Sequence, residues 1–255
     1  MSSPRFFGAA LLVCLLFGFR ALALDRKEEF KKALSGTVAE AKLTAVFGDE
    51  RLVLDRTVLP KKGKKGDGYF SARFGLLTDE SLERGREYAK SHHNSLSSAA
   101  KLYGVPSEII LAIIRIETNF GKFLGTRPLP VTLYSLYALS PARRPFALRE
   151  MRYFLSDIAG DGGDPFAIVG SVAGAFGICQ FLPSSYKRYA ISSGGAAPDL
   201  WFHDDAVLSV AHYLKKNGWG KSIDSRLSAV FAYNHSKEYA LAVFAYAKAV
   251  KKKNE

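Results

Sequence analysis

The chain has 255 residues, 48% of them hydrophobic and 13% aromatic, with 36 Lys and Arg against 24 Asp and Glu. This length and hydrophobicity suit one globular domain with a sizeable core, or one with a small extra lobe, and exclude a disordered or fibrous protein. Two cysteines are too few for a disulfide scaffold or a cysteine-rich zinc site. The net charge of +12 predicts an acidic partner: nucleic acid, anionic lipid or an anionic cell-surface polymer.

The first residues indicate export. Arg5 precedes an apolar run from Phe6 to Phe19, and Ala21-Leu22-Ala23 then offers a small-x-small cleavage pattern. This order is typical of a secretory signal peptide, because the run is shorter than the ~20 residues of a membrane-spanning helix. We expect cleavage after Ala23 and a periplasmic or secreted protein without a stable membrane span. An exported basic protein meets cell wall or lipid before nucleic acid, so nucleic acid is not expected as a partner.

The mature chain is predicted to be mainly α-helical. Hydrophobic periodicity and capping signals predict helices over 25 to about 48, from Thr78 past Tyr88, from Pro106 onward, and over 142–160, 204–217 and 237–252. Thr78, followed by acidic residues, has the pattern of an N-cap. The predicted division is a signal peptide at 1–23, a short N-terminal helical segment with a basic, solvated linker at 24–68, and a catalytic-sized domain at 69–255.

One predicted helix carries an unusual carboxylate. In the segment from Ser107 to Thr118, a wheel at about 100° per residue places Glu108 and Arg115 together on a polar side. Glu117 falls instead between Ile110 and Ile113. An apolar environment penalises the ionised form, so the pKa of Glu117 should rise, as a general acid near neutral pH requires. A buried structural glutamate paired with an arginine or with backbone amides fits this pattern equally well.

Three further segments could bind a ligand or serve only the fold. The loop from Gly174 to Tyr186 is rich in small residues, and its Gln180 offers both a donor and an acceptor, although a packed turn has the same composition. Asn234 alone fits a helix cap. Arg143 and Arg144 fit either a surface pair or a bidentate grip on a carboxylate. Trp201 is expected to be buried and to anchor the turn from Asp199 to Asp204.

Signatures of other chemistries are missing from the sequence. There is no phosphate loop, no nucleophile elbow and no His-Glu-x-x-His motif. His92-His93 has no acidic or cysteine neighbour in the sequence, so metal binding there is not expected. Cys179 lies in an apolar context that favours an inert thiol.

Taken together and in this order, these segments resemble the lytic transglycosylases of the membrane-bound type B family, which cut bacterial peptidoglycan. The helix from Val105 to Gly121 resembles the one that ends in the family's catalytic glutamate, and the segment from Gly170 to Tyr186 resembles its glycine-glutamine-proline segment. The segment from Tyr233 to Ser236, with Tyr239, resembles the closing motif. The resemblance covers most of residues 69–252 and implies a lysozyme-like (goose-type) catalytic domain with a short N-terminal helical lobe.

The resemblance also implies a role for each matching residue. Glu117 matches the single catalytic acid/base. The matching substrate-binding residues are Ser171, Gln180, Tyr213, Tyr233, Asn234, Tyr239, Arg143 and Arg144. The arginine pair is expected to contact the acidic stem peptide, which makes peptidoglycan glycan strands the expected partner.

This sequence departs from the family in two places. Family members often carry a calcium loop, but residues 191–199 here have almost no oxygen-bearing side chains for a hard cation, so no metal or other cofactor is expected. Only residues 220–230 are available where larger members insert a small β-rich domain, so that domain is expected to be absent.

The resemblance implies cleavage of the MurNAc-GlcNAc β-1,4 bond with formation of a 1,6-anhydro-MurNAc end. Two other interpretations stay open. One is a hydrolysing muramidase of goose-lysozyme type, which uses water as the acceptor. The other is a catalytically idle module that only binds peptidoglycan.

Overall fold

The computed structural model describes residues 25–59, 68–160 and 162–252. This part of the chain contains eleven α-helices, so the prediction of a mainly α protein is confirmed. The helices are α1 (25–34), α2 (Glu40–Phe47), α3 (Asp79–Ser91), α4 (His93–Tyr103), α5 (Ser107–Thr118), α6 (Leu129–Leu139), α7 (Arg144–Tyr153), α8 (Pro183–Tyr189), α9 (His203–Lys216), α10 (Ile223–Tyr233) and α11 (Lys237–Lys251). Two short strands, β1 (Arg127–Pro128) and β2 (Val169–Gly170), pair antiparallel.

The described residues form two compact units. The first unit contains residues 25–59 and 127–174, and the second contains residues 68–126 and 175–252. The predicted signal peptide and nearly all of the predicted basic linker lie outside the described residues. None of the helices in the described ranges combines the length and the hydropathy needed to cross a membrane. The boundary between residues 68 and 69 stays a sequence-based prediction.

The N-terminal segment forms two helices where the sequence predicts one. Residues 25–34 are helical, the chain then turns, and α2 begins at Glu40. Gly36 lies in this turn with φ = +78°, a conformation that glycine adopts without a Cβ penalty. Phe30, Leu34 and Val38 are buried as the predicted stripe requires, but Ala41 is exposed. The single-helix prediction is therefore wrong. The apolar spacing continues from Leu34 to Val38 across the turn, so it does not reveal the break.

Helix α6 forms the centre of the first unit. Almost all of its residues are buried, so it lacks a polar face and gives no amphipathic period in the sequence. Phe30 stacks on Tyr137 with ring centroids 4.1 Å apart, and the Tyr137 hydroxyl donates to Glu29. Lateral contacts of this kind, and not periodicity, fix the position of α6.

Helix α5 forms the centre of the second unit, where it packs against α3, α4, α9 and α11. Ile110, Ile113 and Ile114 are fully buried. The predicted cap of α3 is confirmed, since the Thr78 hydroxyl accepts from the backbone N–H of Ser81 at 3.3 Å. Pro106 immediately precedes α5, in agreement with its predicted start.

The two tryptophans of the second unit differ in burial, and Trp201 differs from the expectation. Trp201 is partly exposed, with its ring 5.5 Å from that of Phe176, so the prediction that it is buried is wrong. The buried residue of that turn is Leu200. Trp219 is the buried tryptophan, and its indole N–H donates to the Gly104 carbonyl at 3.0 Å.

Candidate active site

Glu117 lies in the last turn of α5 and is partly exposed, as a group that meets a substrate must be. Burial of its carboxyl raises the pKa from the ordinary 4.5 to about 7. The Tyr239 hydroxyl donates to Glu117 Oε1 at 2.7 Å, and this hydrogen bond favours the carboxylate and partly opposes the effect of burial. A carboxyl with such a pKa can both give and accept a proton near neutral pH.

The interpretation of Glu117 as half of a structural ion pair is wrong. Arg115, the arginine nearest in sequence, is buried, and its Nε donates to Ser81 Oγ at 2.7 Å. No basic group within the described ranges forms an ion pair with Glu117. Arg115, which the wheel places on a polar side with Glu108, is buried and finds its polar partners inside the protein.

The end of α5 is held in an uncommon backbone conformation. Asn119, Phe120 and Gly121 have φ values of +50°, +61° and +85°. Thr118 Oγ1 donates to the Ile178 carbonyl at 2.7 Å and accepts from the Gly121 N–H at 3.0 Å. Non-glycine residues at positive φ are strained and persist where surrounding contacts fix them. These bonds join the segment after Glu117 to the loop that contains Gln180.

Three tyrosines from the predicted set pack together, and two of them, Tyr233 and Tyr239, lie beside Glu117. The Tyr233 ring lies 4.7 Å from that of Tyr213 and stacks on that of Tyr239 at 6.3 Å and 7°. The Tyr233 hydroxyl donates to the Cys179 carbonyl at 2.6 Å, and the Tyr213 hydroxyl donates to the Ala232 carbonyl at 2.7 Å. Burial raises the pKa of all three, to about 12 for Tyr213, so these hydroxyls are neutral at physiological pH.

Gln180 lies in the loop beside these tyrosines, with φ = +50°. Its Nε2 donates to the carbonyls of Gly177 at 2.9 Å and Leu124 at 3.4 Å. Gly177 has φ = +74°, and a Cβ there would come within 2.5 Å of the Leu200 Cβ. This glycine therefore serves close packing within the protein. Cys179 is a buried free thiol whose pKa is raised by burial, in line with an inert role.

The structure adds Tyr69, which sequence reasoning missed. Its ring lies 5.7 Å from that of Tyr239 at 76°, and the Asn234 side chain lies near its hydroxyl. Burial, followed by the nearby Glu117 charge, raises the pKa of Tyr69. Asn234 thus lies near Tyr69. Tyr69 lies in an irregular segment without a periodic pattern, so no signal in the sequence marked it.

Three predicted substrate-binding residues belong to the first unit. Ser171 follows β2 and is partly exposed. Arg143 is exposed, with its guanidinium 5.9 Å from the Phe146 ring centroid. Arg144 pairs with Glu29 at 3.8 Å and lies over the Tyr137 ring. Only Arg143 of the two is thus exposed, and a grip on a stem-peptide carboxylate stays a prediction.

The loop at 191–199 does not fit a hard cation. Both carboxylate oxygens of Asp205 accept from this loop: Oδ1 from the Ser193 N–H and hydroxyl, each at 2.7 Å, and Oδ2 from the Asp199 N–H at 2.8 Å. These oxygens are engaged by donors, whereas a calcium ion needs six to eight oxygen ligands. Within the described ranges, no group of three or more His, Cys, Asp or Glu side chains is suited to a metal ion.

Comparison with known proteins agrees with this geometry. Residues 23–227, well over half of the chain, match the family described as "Transglycosylase SLT domain". The chain belongs to this family. It is 36% identical over 166 residues to the membrane-bound lytic murein transglycosylase B of Escherichia coli K12. That match covers 65% of this chain but only 46% of the relative, so the matched region spans less than half of that protein's length.

Solved structures of SLT-family enzymes share the fold. The soluble lytic transglycosylase SltB1 of Pseudomonas aeruginosa superposes with a TM-score of 0.79 at 25% identity, covering 89% of this chain and 99% of that one. The E. coli lytic transglycosylase Slt35 in complex with calcium superposes with a TM-score of 0.78 at 25% identity, covering 89% and 93%. The lysozyme-like transglycosylase fold predicted from the sequence is therefore confirmed.

Proposed function

We propose that this protein is a periplasmic or secreted lytic transglycosylase that cleaves the MurNAc-GlcNAc β-1,4 bond of peptidoglycan. Family membership and the likeness to an enzyme named for lytic murein transglycosylase activity support the reaction class. The observation that carries the proposal is the Glu117 carboxyl, which is partly exposed, hydrogen-bonded by Tyr239 and has a pKa of about 7. Glu117 would act as the sole acid/base.

In the first step, protonated Glu117 gives its proton to the glycosidic oxygen while the bond from that oxygen to C1 of MurNAc breaks. The leaving sugar departs with a new hydroxyl, and C1 takes on oxocarbenium character. Glu117 is left as a carboxylate, which the Tyr239 hydroxyl stabilises by its hydrogen bond at 2.7 Å. Tyr239 therefore favours release of the proton in this step.

In the second step, the 6-hydroxyl of the same MurNAc attacks C1. The Glu117 carboxylate takes the proton from that hydroxyl, which restores the starting state and leaves a 1,6-anhydro ring. Ordinary glycosidases use a pair of carboxylates flanking the bond. An internal hydroxyl removes the need for the second one. Glu238, whose Oε1 accepts from the Tyr69 N–H, has an anchoring role.

The remaining site residues would bind the polymer. Because Gln180 Nε2 is used within the loop, its amide oxygen is the group that would accept from a sugar hydroxyl or amide. Tyr233 would supply a flat surface beside Glu117, and Tyr213, whose ring packs on that of Tyr233, would extend that surface. For Ser171, Arg143 and Arg144 we propose contacts with the sugar and with stem-peptide carboxylates, and the net charge of +12 favours such an acidic polymer.

Mass spectrometry of digested peptidoglycan tests the proposal. New 1,6-anhydro ends are expected from the wild-type protein. New reducing ends would indicate a hydrolysing muramidase, and no new ends would indicate a module that only binds the wall. Glu117→Gln is expected to abolish the anhydro ends, while Glu108→Gln, in the first turn of the same helix, should retain them.

A further inference from the structure

Residues 68–78, here called the strap, bring Tyr69 to the candidate site. The strap is not helical and is shaped by turns, such as the bond from the Gly75 N–H to the Ser71 carbonyl at 3.1 Å. Near one end, the Tyr69 N–H donates to Glu238 Oε1 on α11 at 3.0 Å. Irregular chain of this kind needs contacts from elsewhere to hold one conformation.

The other end of the strap is held by Arg115. Its Nη2 donates to the carbonyls of Phe74 at 3.1 Å and Gly75 at 3.2 Å. The same guanidinium lies 5.3 Å from the Phe74 ring centroid, and that ring in turn lies 5.5 Å from the Tyr69 ring at 90°. Arg115 is only 6% exposed within an isoleucine-rich helix, an expensive position for a charged group that these contacts offset.

Arg115 and Glu117 face different sides of α5, because two positions along a helix differ by about 200°. The strap therefore contacts the helix on the Arg115 side through Phe74 and reaches the Glu117 side through Tyr69, which packs on Tyr239. Helix α5 thus carries Glu117 and, through Arg115, also holds the strap that covers one side of Glu117.

We propose that Arg115 is a positioning residue of this enzyme, which anchors the strap so that Tyr69 stays packed on Tyr239 and close to Asn234. Arg115 touches no substrate in this role and acts through the strap. The inference rests on the proposed function, since it assigns to Arg115 the maintenance of the environment in which Glu117 works.

The groups that face Glu117 make its protonation sensitive to the strap. They are Tyr69 from the strap, Cys179 from the Gln180 loop, Tyr233 from the end of α10 and Tyr239 from α11. All four have a raised pKa and are neutral near pH 7. Burial is therefore the main cause that holds the pKa of Glu117 near 7. Loss of Tyr69 from its place would admit water and lower that pKa toward 4.5.

The test is a titration of the Glu117 carboxyl by ¹³C NMR in the full chain, with its signal assigned through Glu117→Gln and no substrate added. Arg115→Met keeps an unbranched apolar stem and removes every donor. We expect its Glu117 pKa to fall by about one unit or more, a tenfold loss in proton affinity. The alkaline limb of the kcat/KM profile on peptidoglycan should move to lower pH by the same amount.

Glu238→Ala is the second variant. It releases the other anchor from an exposed position, so it should fold normally and lower the Glu117 pKa in the same direction. Arg226→Met is the matched control, because Arg226 also donates to a backbone carbonyl, that of Gly220 at 3.0 Å, and lies over an aromatic ring, that of Trp219. It makes no bond to the strap and should leave the Glu117 pKa unchanged.

A folded Arg115→Met protein with an unchanged Glu117 pKa would overturn the inference. If that variant fails to fold, an unchanged pKa in Glu238→Ala overturns it alone. Because the titration needs no substrate, its result tests the role of Arg115 independently of the proposed transglycosylase activity. A shifted pKa in a protein whose wild type makes no anhydro ends refutes only the proposed function. Anhydro ends combined with an unmoved pKa refute only the role of Arg115.

Discussion

Replacing Glu117 by Gln should make the protein more stable at alkaline pH and leave its stability nearly unchanged at acid pH. The glutamine tip has the same shape, and its oxygen can still accept from the Tyr239 hydroxyl, but it cannot ionise. The folded protein binds the Glu117 proton more tightly than the unfolded chain does, because burial raises the pKa from 4.5 to about 7. The stabilisation linked to this proton is complete below pH 4.5 and is lost as the pH rises through 7.

The magnitude follows from the same two values. A pKa difference of about 2.5 units corresponds to about 3 kcal/mol, at 1.36 kcal/mol per unit. The free energy of unfolding of Glu117→Gln should therefore exceed that of the wild type by about 3 kcal/mol at pH 8 and by almost nothing at pH 4. Urea unfolding at both pH values measures this difference. With a slope of ~1–3 kcal/mol per molar urea, the midpoint at pH 8 should rise by roughly 1–3 M.

The same variant should lose wall-cutting activity by at least the ~10²–10⁴-fold that general acid–base catalysis contributes. Glu108→Gln is the matched control. It should stay active and lose at most ~1 kcal/mol of stability, since it gives up only a favourable first-turn charge. A loss of ~3–5 kcal/mol in Glu117→Gln at pH 8 would refute the reasoning, because it would identify Glu117 as half of a buried ion pair. A folded Glu117→Gln protein with the wild-type rate would end its assignment as the acid/base.

Tyr239→Phe removes a hydrogen bond that favours the carboxylate, so the pKa of Glu117 should rise above 7 and the alkaline limb of the kcat/KM profile should move to higher pH; an unmoved limb would contradict this. Calcium from micromolar to millimolar should leave the Tm unchanged, and a rise reversed by chelator would contradict the absence of a calcium site. Intact-mass analysis of the exported protein should find Leu24 at its N-terminus. An uncleaved chain, or one with a lipid on Cys14, would contradict this cleavage.

Features encoded within a few neighbouring residues were predictable from the sequence. The Thr78 cap, the helix that ends near Glu117 and the last helix each follow from periodicity and capping within one segment. The raised pKa of Glu117 follows in direction from the isoleucines around it on the wheel. Each of these features depends only on residues within one helix or next to it, so the local sequence is enough to predict it.

Features that depend on contacts between distant segments were not predictable. Helix α6 is apolar on all sides and shows no period, so only its packing identifies it. The break at Gly36 leaves Phe30, Leu34 and Val38 buried along the predicted stripe, so the apolar period does not reveal it. Arg115 has the wheel position of a surface residue, yet it is buried because carbonyls from residues 74 and 75 accept its donors. A wheel describes one helix and contains no information about the chain that packs on it.

The pKa of Glu117 shows which property of the site can be predicted from one segment and which needs contacts between segments. Its direction needs only α5, but its magnitude needs the enclosure formed by Tyr69, Cys179, Tyr233 and Tyr239, which come from four separate segments. Tyr239, the direct hydrogen-bond partner, is 122 residues away in the sequence. Because burial is the dominant cause of the shift, any residue that holds one of these segments in place also acts on the acid. The positions that tune the pKa of Glu117 should therefore include residues such as Arg115 and Glu238, which bond to the strap and not to the substrate.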